Sequence, residues 1–231
     1  MIGFYNYTVI LTYLSALSAS TGIVVALSGA GHPYLGCFFL LFCGLCDAFD
    51  GKVARTKPNR TRTEQNFGIQ IDSLSDIVAF GVLPACIGAA LIRTSPLCHA
   101  FYRNCPSFWL IASAKFILYA ILVLYVLAAM IRLAYFNVTE QERQEREDGE
   151  RKFYLGLPVT SASLIFPLVI LLQYILPMDI TLVYIGIVVL TGFLFLARFR
   201  IRKPGLRGIL AMVGIGAAEF VLLILWRLFF R

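Results

Sequence analysis

The chain has 231 residues, of which 59% are hydrophobic and only 14% charged, with 20 Lys and Arg against 13 Asp and Glu. A soluble domain carries about 25% charged residues, so a mean hydropathy of +0.81 excludes that class and marks an integral membrane protein. The net charge of +7 then points to loops on an anionic membrane surface, not to nucleic acid.

A membrane-crossing helix needs about 20 apolar residues, and seven stretches qualify. The first spans residues 5–27. No Lys or Arg precedes Lys52, so the basic start of a signal peptide is lacking and this stretch reads as a retained helix. The second spans 34–55. A polar loop containing Pro58 follows, and the third span is expected over 68–92. Cys98 and Cys105 share the next loop, where a disulfide forms if it faces an oxidising compartment; spacing leaves that open. Cys37, Cys43, Cys46 and Cys86 lie in apolar sequence and read as small buried hydrophobes. The fourth span, 108–137, is long enough to tilt or project. The charged segment 139–152 reads as its solvated helical extension, with pairs such as Glu142–Arg146 and Glu147–Arg151. Spans five to seven cover 157–176, 180–197 and 208–230. Lone charges also fall inside apolar stretches. Lys115 can snorkel or pair, and Glu219 has no evident partner. The chain reads as one all-α domain, 1–231, a polytopic helical bundle.

Lys and Arg crowd the connections between spans two and three, four and five, and six and seven (Lys52, Arg55, Lys57, Arg60 and Arg62; Arg143, Arg146, Arg151 and Lys152; the run Arg198–Arg207). The other side holds Arg93, Arg103 and the C-terminal arginines. The positive-inside rule puts the first set in the cytoplasm of a multi-pass cell-membrane protein.

Residues 46–76 read CDAFDGKVARTKPNRTRTEQNFGIQIDSLSD and hold four aspartates between apolar flanks. Four bare carboxylates at membrane depth would cost roughly 10 kcal/mol. Hard divalent cations, which take carboxylate oxygens, are the simplest compensation. On helices, Asp47, Asp50, Gly51, Ala54 and Arg55 share one face, and Gly68, Asp72 and Asp76 share another. Two such faces opposed would pool four carboxylates. The small residues Gly51, Ala54 and Gly68 leave room for a ligand, and Arg55 suits a phosphate.

The pattern D-x2-D-G-x2-A-R followed by G-x3-D-x3-D resembles the signature of the CDP-alcohol phosphotransferases, with all eight fixed positions filled. The spacer from Arg55 to Gly68 is a few residues longer than that signature leads one to expect. IRLAYFNV (131–138), FYLGLP (153–158) and DSLSDIVAFGVLPA (72–85) resemble the phosphatidylserine synthase branch, except that Tyr135 stands where a second arginine is usual. The resemblance covers roughly residues 34–165. It implies a six-helix core plus an extra C-terminal helix, a homodimer, and a CDP-diacylglycerol or CDP-archaeol donor. It further implies two divalent ions, magnesium or manganese, on Asp47, Asp50, Asp72 and Asp76. Cytidine and diphosphate would approach Asp50, Gly51, Ala54, Arg55 and Gly68. Asp76 would be the general base on the acceptor hydroxyl, and L-serine the acceptor. Arg132, buried in apolar sequence, suits the serine carboxylate, and Asn137 or a backbone carbonyl its ammonium. Glycerol 3-phosphate or inositol phosphate as acceptor, and a divalent-cation transporter, remain as alternatives.

Overall fold

The computed structural model describes residues 3–28, 33–146, 153–175, 178–202 and 206–229. They form an all-α membrane protein. Its elements are α1 (Ile10–Leu27), α2 (Pro33–Arg55), α3 (Arg62–Asp76), α4 (Leu83–Thr94), α5 (Pro96–Asn104), α6 (Phe108–Arg146), α7 (Ala162–Ile175), α8 (Thr181–Leu196) and α9 (Leu206–Phe229). Two three-residue strands, β1 (Phe153–Leu155) and β2 (Arg200–Arg202), pair antiparallel, with Tyr154 opposite Ile201. Four apolar helices are long enough to cross a bilayer: Ile10–Leu27, Tyr34–Arg55, Arg62–Thr94 and Phe108–Arg143. Three shorter apolar helices lie at the fifth, sixth and seventh expected positions.

Small residues set the helix spacing. At Gly22 of α1 a side chain would meet Phe39 Cβ at 2.8 Å and Leu83 at 3.1 Å, so α1 lies close on both α2 and α4. Gly36 receives Ile87, and Gly88 receives Leu122 and Tyr184 in the same way. Phe80, Phe166, Tyr184 and Phe195 fill the centre. The Tyr184 hydroxyl donates to the Pro84 carbonyl at 2.8 Å, which satisfies a polar group that lipid cannot.

The third span differs from expectation at its start. A polar loop is expected up to Asn66, yet α3 begins at Arg62. The cause is a capping box. Glu64 N–H donates to Thr61 Oγ1 at 3.2 Å, and Thr61 N–H donates to Glu64 Oε2 at 3.0 Å. Glu64 also pairs with Lys57 at 2.6 Å and accepts from Asn6 at 3.1 Å, tying the loop to the N-terminal segment. Between α3 and α4, Ile77–Val82 form a π-helical turn, so the span is one rod with an internal change of phase. The Tyr125 hydroxyl of α6 donates to the Phe80 carbonyl of that turn at 2.7 Å.

Other expectations shift too. The first helix begins at Ile10, not at residue 5. The segment holding Cys98 and Cys105 is largely the helix α5, and both thiols are free. Cys98 is buried, its N–H donating to the N-cap Ser95 hydroxyl at 3.0 Å. The fourth span continues as helix to Arg146, where Glu140 and Arg143 pair at 2.6 Å. The expected Glu147–Arg151 pair lies outside the described residues. Lys115 resolves as a partner of Tyr102, its Nζ 4.6 Å from the ring centre.

Connections alternate between two ends of the bundle. At one end the Asp179 carboxylate accepts from the Ser95 hydroxyl and from the N–H groups of Leu97 at 3.1 Å and Thr181 at 2.9 Å. Although partial burial opposes it, these donors hold Asp179 below the usual carboxylate range. At the same end Arg93 donates to the Leu27 carbonyl at 3.1 Å, closing the last turn of α1. At the other end lie the α2–α3 loop, with Lys57 and Arg60, and the β1–β2 ribbon, with Arg200 and Arg202.

Replacing Gly22 by Val should separate α1 from α2 and α4 and destabilise the fold by about 1–3 kcal/mol. A thermal melt of the detergent-solubilised protein would check this, and an unchanged midpoint would contradict the packing.

Candidate active site

The acidic residues are set on two helices by simple periodicity. Asp47 and Asp50 sit one turn apart near the end of α2, and Asp72 sits on α3. Carboxylate oxygens of Asp47, Asp50 and Asp72 all lie within 4.8 Å of one another. Three anions held that close repel strongly unless a cation lies between them. The donor set is all hard oxygen, which fits magnesium or manganese and not a thiophilic metal. Cys46, next along the chain, is buried and adds no donor to the group.

Asp76, the fourth acid expected here, stands outside that group of three. It lies one turn further along α3, only 8% exposed, where the helix passes into the π-turn. The helix face is as expected, and Asp76 lies within electrostatic reach of Asp47, Asp72 and Asp50.

Two of the small motif residues face arginines. A side chain at Gly51 would meet only the Arg55 guanidinium, at 4.0 Å. At Gly68 it would meet the Arg60 guanidinium at 2.7 Å. Arg55 itself is exposed at the end of α2.

Three contacts locate the expected acceptor residues Asn137 and Arg132 and the start of α7. First, the Asn137 amide donates to the Ser73 hydroxyl at 2.7 Å, directly beside Asp72. Second, Arg132 is 5% exposed, its Nε donating to the Leu157 carbonyl at 3.1 Å and its guanidinium 5.9 Å from the Phe136 ring. On the same helix Ala129 is the nearest neighbour of Gly81, at 3.4 Å. Arg132 therefore falls between the Gly81 and Ser73 contacts, at the level of the π-turn and Asp76. Third, Ser163 sits against Gly44, where no larger residue would fit. Gly44 lies one turn before Asp47, so the start of α7 abuts the acid-bearing face of α2. Tyr135 is 49% exposed, whereas Arg132 is buried.

Leu157 is held in turn. Gly156, at φ +73°, donates to the Phe199 carbonyl at 2.6 Å, and Leu157 N–H donates to Leu194 at 3.2 Å. A side chain at Gly156 would strike the Ala197 carbonyl at 2.7 Å, so this position requires glycine. Reading the sequence missed Gly44, Ser73 and Arg60. Gly44 alone had a readable signal, its place one turn before Asp47 on the same helix face.

The profile of the CDP-alcohol phosphatidyltransferase family matches residues 5–194. The chain belongs to that family. The match ends within α8 and leaves α9 outside it. The chain is 29% identical over 169 residues to a protein of Helicobacter pylori strain J99 named CDP-diacylglycerol–serine O-phosphatidyltransferase, covering 72% of this chain and 60% of that one. A Saccharomyces cerevisiae protein of the same name is 32% identical over 155 residues, 64% of this chain and 48% of its own. The archaetidylserine synthase of Methanothermobacter thermautotrophicus is 32% identical over 151 residues, 65% of this chain and 52% of its own. The matched stretches thus span about half to three-fifths of these relatives.

Glu219, without a partner in the sequence reading, lies in α9. It is 4% exposed, and neither carboxylate oxygen has a hydrogen-bond partner among the described residues. Its neighbours on α9 meet Leu41 and Phe38 of α2. It is therefore about two turns from Asp47 and separate from the site.

The three-carboxylate cluster predicts a metal-dependent melt. Excess magnesium should raise the melting temperature, by the equivalent of about 2.7 kcal/mol at a hundred times Kd. Asp72→Asn should remove most of that increase; an equal magnesium response in the variant would disprove the cluster as the binding site.

Proposed function

We propose that the protein transfers a phosphatidyl group from CDP-diacylglycerol, or an archaeol equivalent, to the hydroxyl of L-serine, giving phosphatidylserine and CMP. The observation that carries this reading is the convergence of Asp47, Asp50 and Asp72 within 4.8 Å. Beside that cluster stand a buried Asp76 and the segments bearing Arg132 and Asn137. The names of the relatives support serine as acceptor, and so does Arg132, the one buried arginine among the described residues, which suits an amino-acid carboxylate better than a phosphate dianion. Acyl chains of the donor stay in the bilayer between helices, and its diphosphate reaches the acids at the basic end. The positive-inside rule supports placing that end in the cytoplasm.

Two divalent ions, magnesium or manganese, held by the clustered aspartates would neutralise the diphosphate and the departing CMP. The remaining work falls to the chain. Gly51, Ala54 and Gly68 admit cytidine and diphosphate close to the backbone, and Arg55 contacts the diphosphate. Arg132 orients the serine carboxylate. Asn137 donates its amide nitrogen to Ser73, which turns its carbonyl oxygen, the atom an ammonium needs, the other way. Asp76 takes the hydroxyl proton as the serine oxygen forms its bond to the β-phosphorus. The P–O bond to CMP breaks, and CMP leaves with the electron pair. Asp76, buried where α3 enters the π-turn, would hold a cation together with Asp47, Asp50 and Asp72 as well as take the proton.

Reconstituted protein given CDP-diacylglycerol and labelled serine should yield labelled phosphatidylserine and CMP. Product from glycerol 3-phosphate or inositol phosphate alone would replace the acceptor, and no CMP with any acceptor would end the transferase reading. Asp76→Asn should lower turnover by at least about 100-fold with CDP-lipid binding kept; full activity would remove Asp76 from the role. Arg132→Ala should raise the KM for serine about tenfold or more, through loss of a charged hydrogen bond, and change the CDP-lipid KM far less.

A further inference from the structure

Arg60 belongs to neither half of the aspartate motif. It comes from the α2–α3 loop, the stretch that is longer than the family signature leads one to expect. Its guanidinium nevertheless lies between the two motif faces. Nη1 donates to the carbonyl of Ala54, on the Asp47–Asp50–Ala54 face of α2, at 3.3 Å. Nη2 donates to the Glu64 carbonyl at 3.3 Å and stands 2.7 Å from where a side chain on Gly68 would begin. Gly68 shares its face of α3 with Asp72 and Asp76. The group therefore sits between the motif-bearing ends of α2 and α3, over a glycine whose missing side chain leaves the space.

Its bonding there is incomplete. Both contacts are long for N–H···O bonds, whose usual separation is about 2.9–3.0 Å. Nε is buried with no hydrogen-bond partner among the described residues, and no described carboxylate pairs with it. Its neighbour Lys57 is already taken by Glu64 at 2.6 Å. A half-satisfied planar fork of N–H donors, set between the two helices that carry the aspartates, suits a phosphate ester.

We infer that Arg60 binds a phosphate of the cytidine nucleotide, closing the α2–α3 loop over the donor once it enters. This rests on the donor reading above. In the free protein two backbone carbonyls hold the guanidinium in place; with donor present, phosphate oxygens replace them. Arg60 is thus a second cation for the nucleotide, supplied by the loop and not by the helix that carries Arg55.

The test is CDP binding to the full-length protein in nanodiscs with magnesium, for the wild type, Arg60→Ala, Arg60→Gln and Arg60→Lys. Gln keeps a donor for the Ala54 carbonyl but loses the charge, so it separates phosphate binding from support of the loop. Ala and Gln should each weaken CDP at least tenfold, Lys should recover a large part of that, and the KM for serine should stay within twofold. CDP affinity within twofold of wild type in both Ala and Gln, even with a lowered melting temperature, would overturn the inference and leave the donor site standing. A wild-type protein that binds no CDP would overturn the donor reading itself.

Discussion

Like charges at close range in an apolar surrounding are the constraint from which the rest of this architecture follows. Three carboxylates within 4.8 Å of one another are an unstable arrangement unless the bundle holds them and something positive answers them. The helices supply the holding. Glycines at 22, 36 and 88 press α1, α2, α4 and α6 together so that the acid-bearing ends of α2 and α3 cannot splay. The capping box at Thr61 and Glu64 fixes where α3 begins, and with it the rotation at which Asp72 arrives. Hydroxyls of Tyr125 and Tyr184 satisfy interior carbonyls where no water would.

The same geometry explains why the site is built from segments far apart in the chain. The acids lie on neighbouring helices around one loop, but Asn137 and Arg132 come from α6, and Leu157 and Ser163 from the segment leading into α7. Asn137 reaches Ser73 on α3 from α6, a 39-residue rod. At about 1.5 Å per residue it is nearly twice as long as a bilayer core is thick. The β1–β2 ribbon then turns the chain back, and Gly156 lets Leu157 present its carbonyl to Arg132.

Much of this was legible beforehand. The spacings D-x2-D-G-x2-A-R and G-x3-D-x3-D are direct statements about helix faces, and the pooling of Asp47, Asp50 and Asp72 follows from them. The buried Arg132 was legible from its apolar neighbours, and the number of apolar helices from hydropathy. The start of α3 was missed although Thr61-Arg62-Thr63-Glu64 is a capping sequence, because the apolar pattern that marks a span begins only later. The contact of Asn137 with Ser73 depends on helix registry between spans 64 residues apart, which no local pattern encodes. Arg60 escaped notice because a loop arginine is ordinarily solvated. Only the opposed carbonyls of Ala54 and Glu64 bring it inward. Glu219 shows the converse: its burial was evident from sequence, but no described residue hydrogen-bonds its carboxylate.

The π-helical turn has one more consequence. By closing a ring one residue wider than its neighbours, with Leu83 N–H bonded back to Val78, it shifts the angular phase of everything downstream by about 100° relative to an unbroken α-helix. The half of the rod that carries acids and the half that carries Leu83, Ile87 and Leu91 are therefore indexed separately, like two wheels keyed at different angles on one axle. A periodicity drawn straight through both halves would assign the lower residues to the wrong side of the rod. The polar and apolar halves of this span thus answer to different neighbours while remaining a single continuous helix.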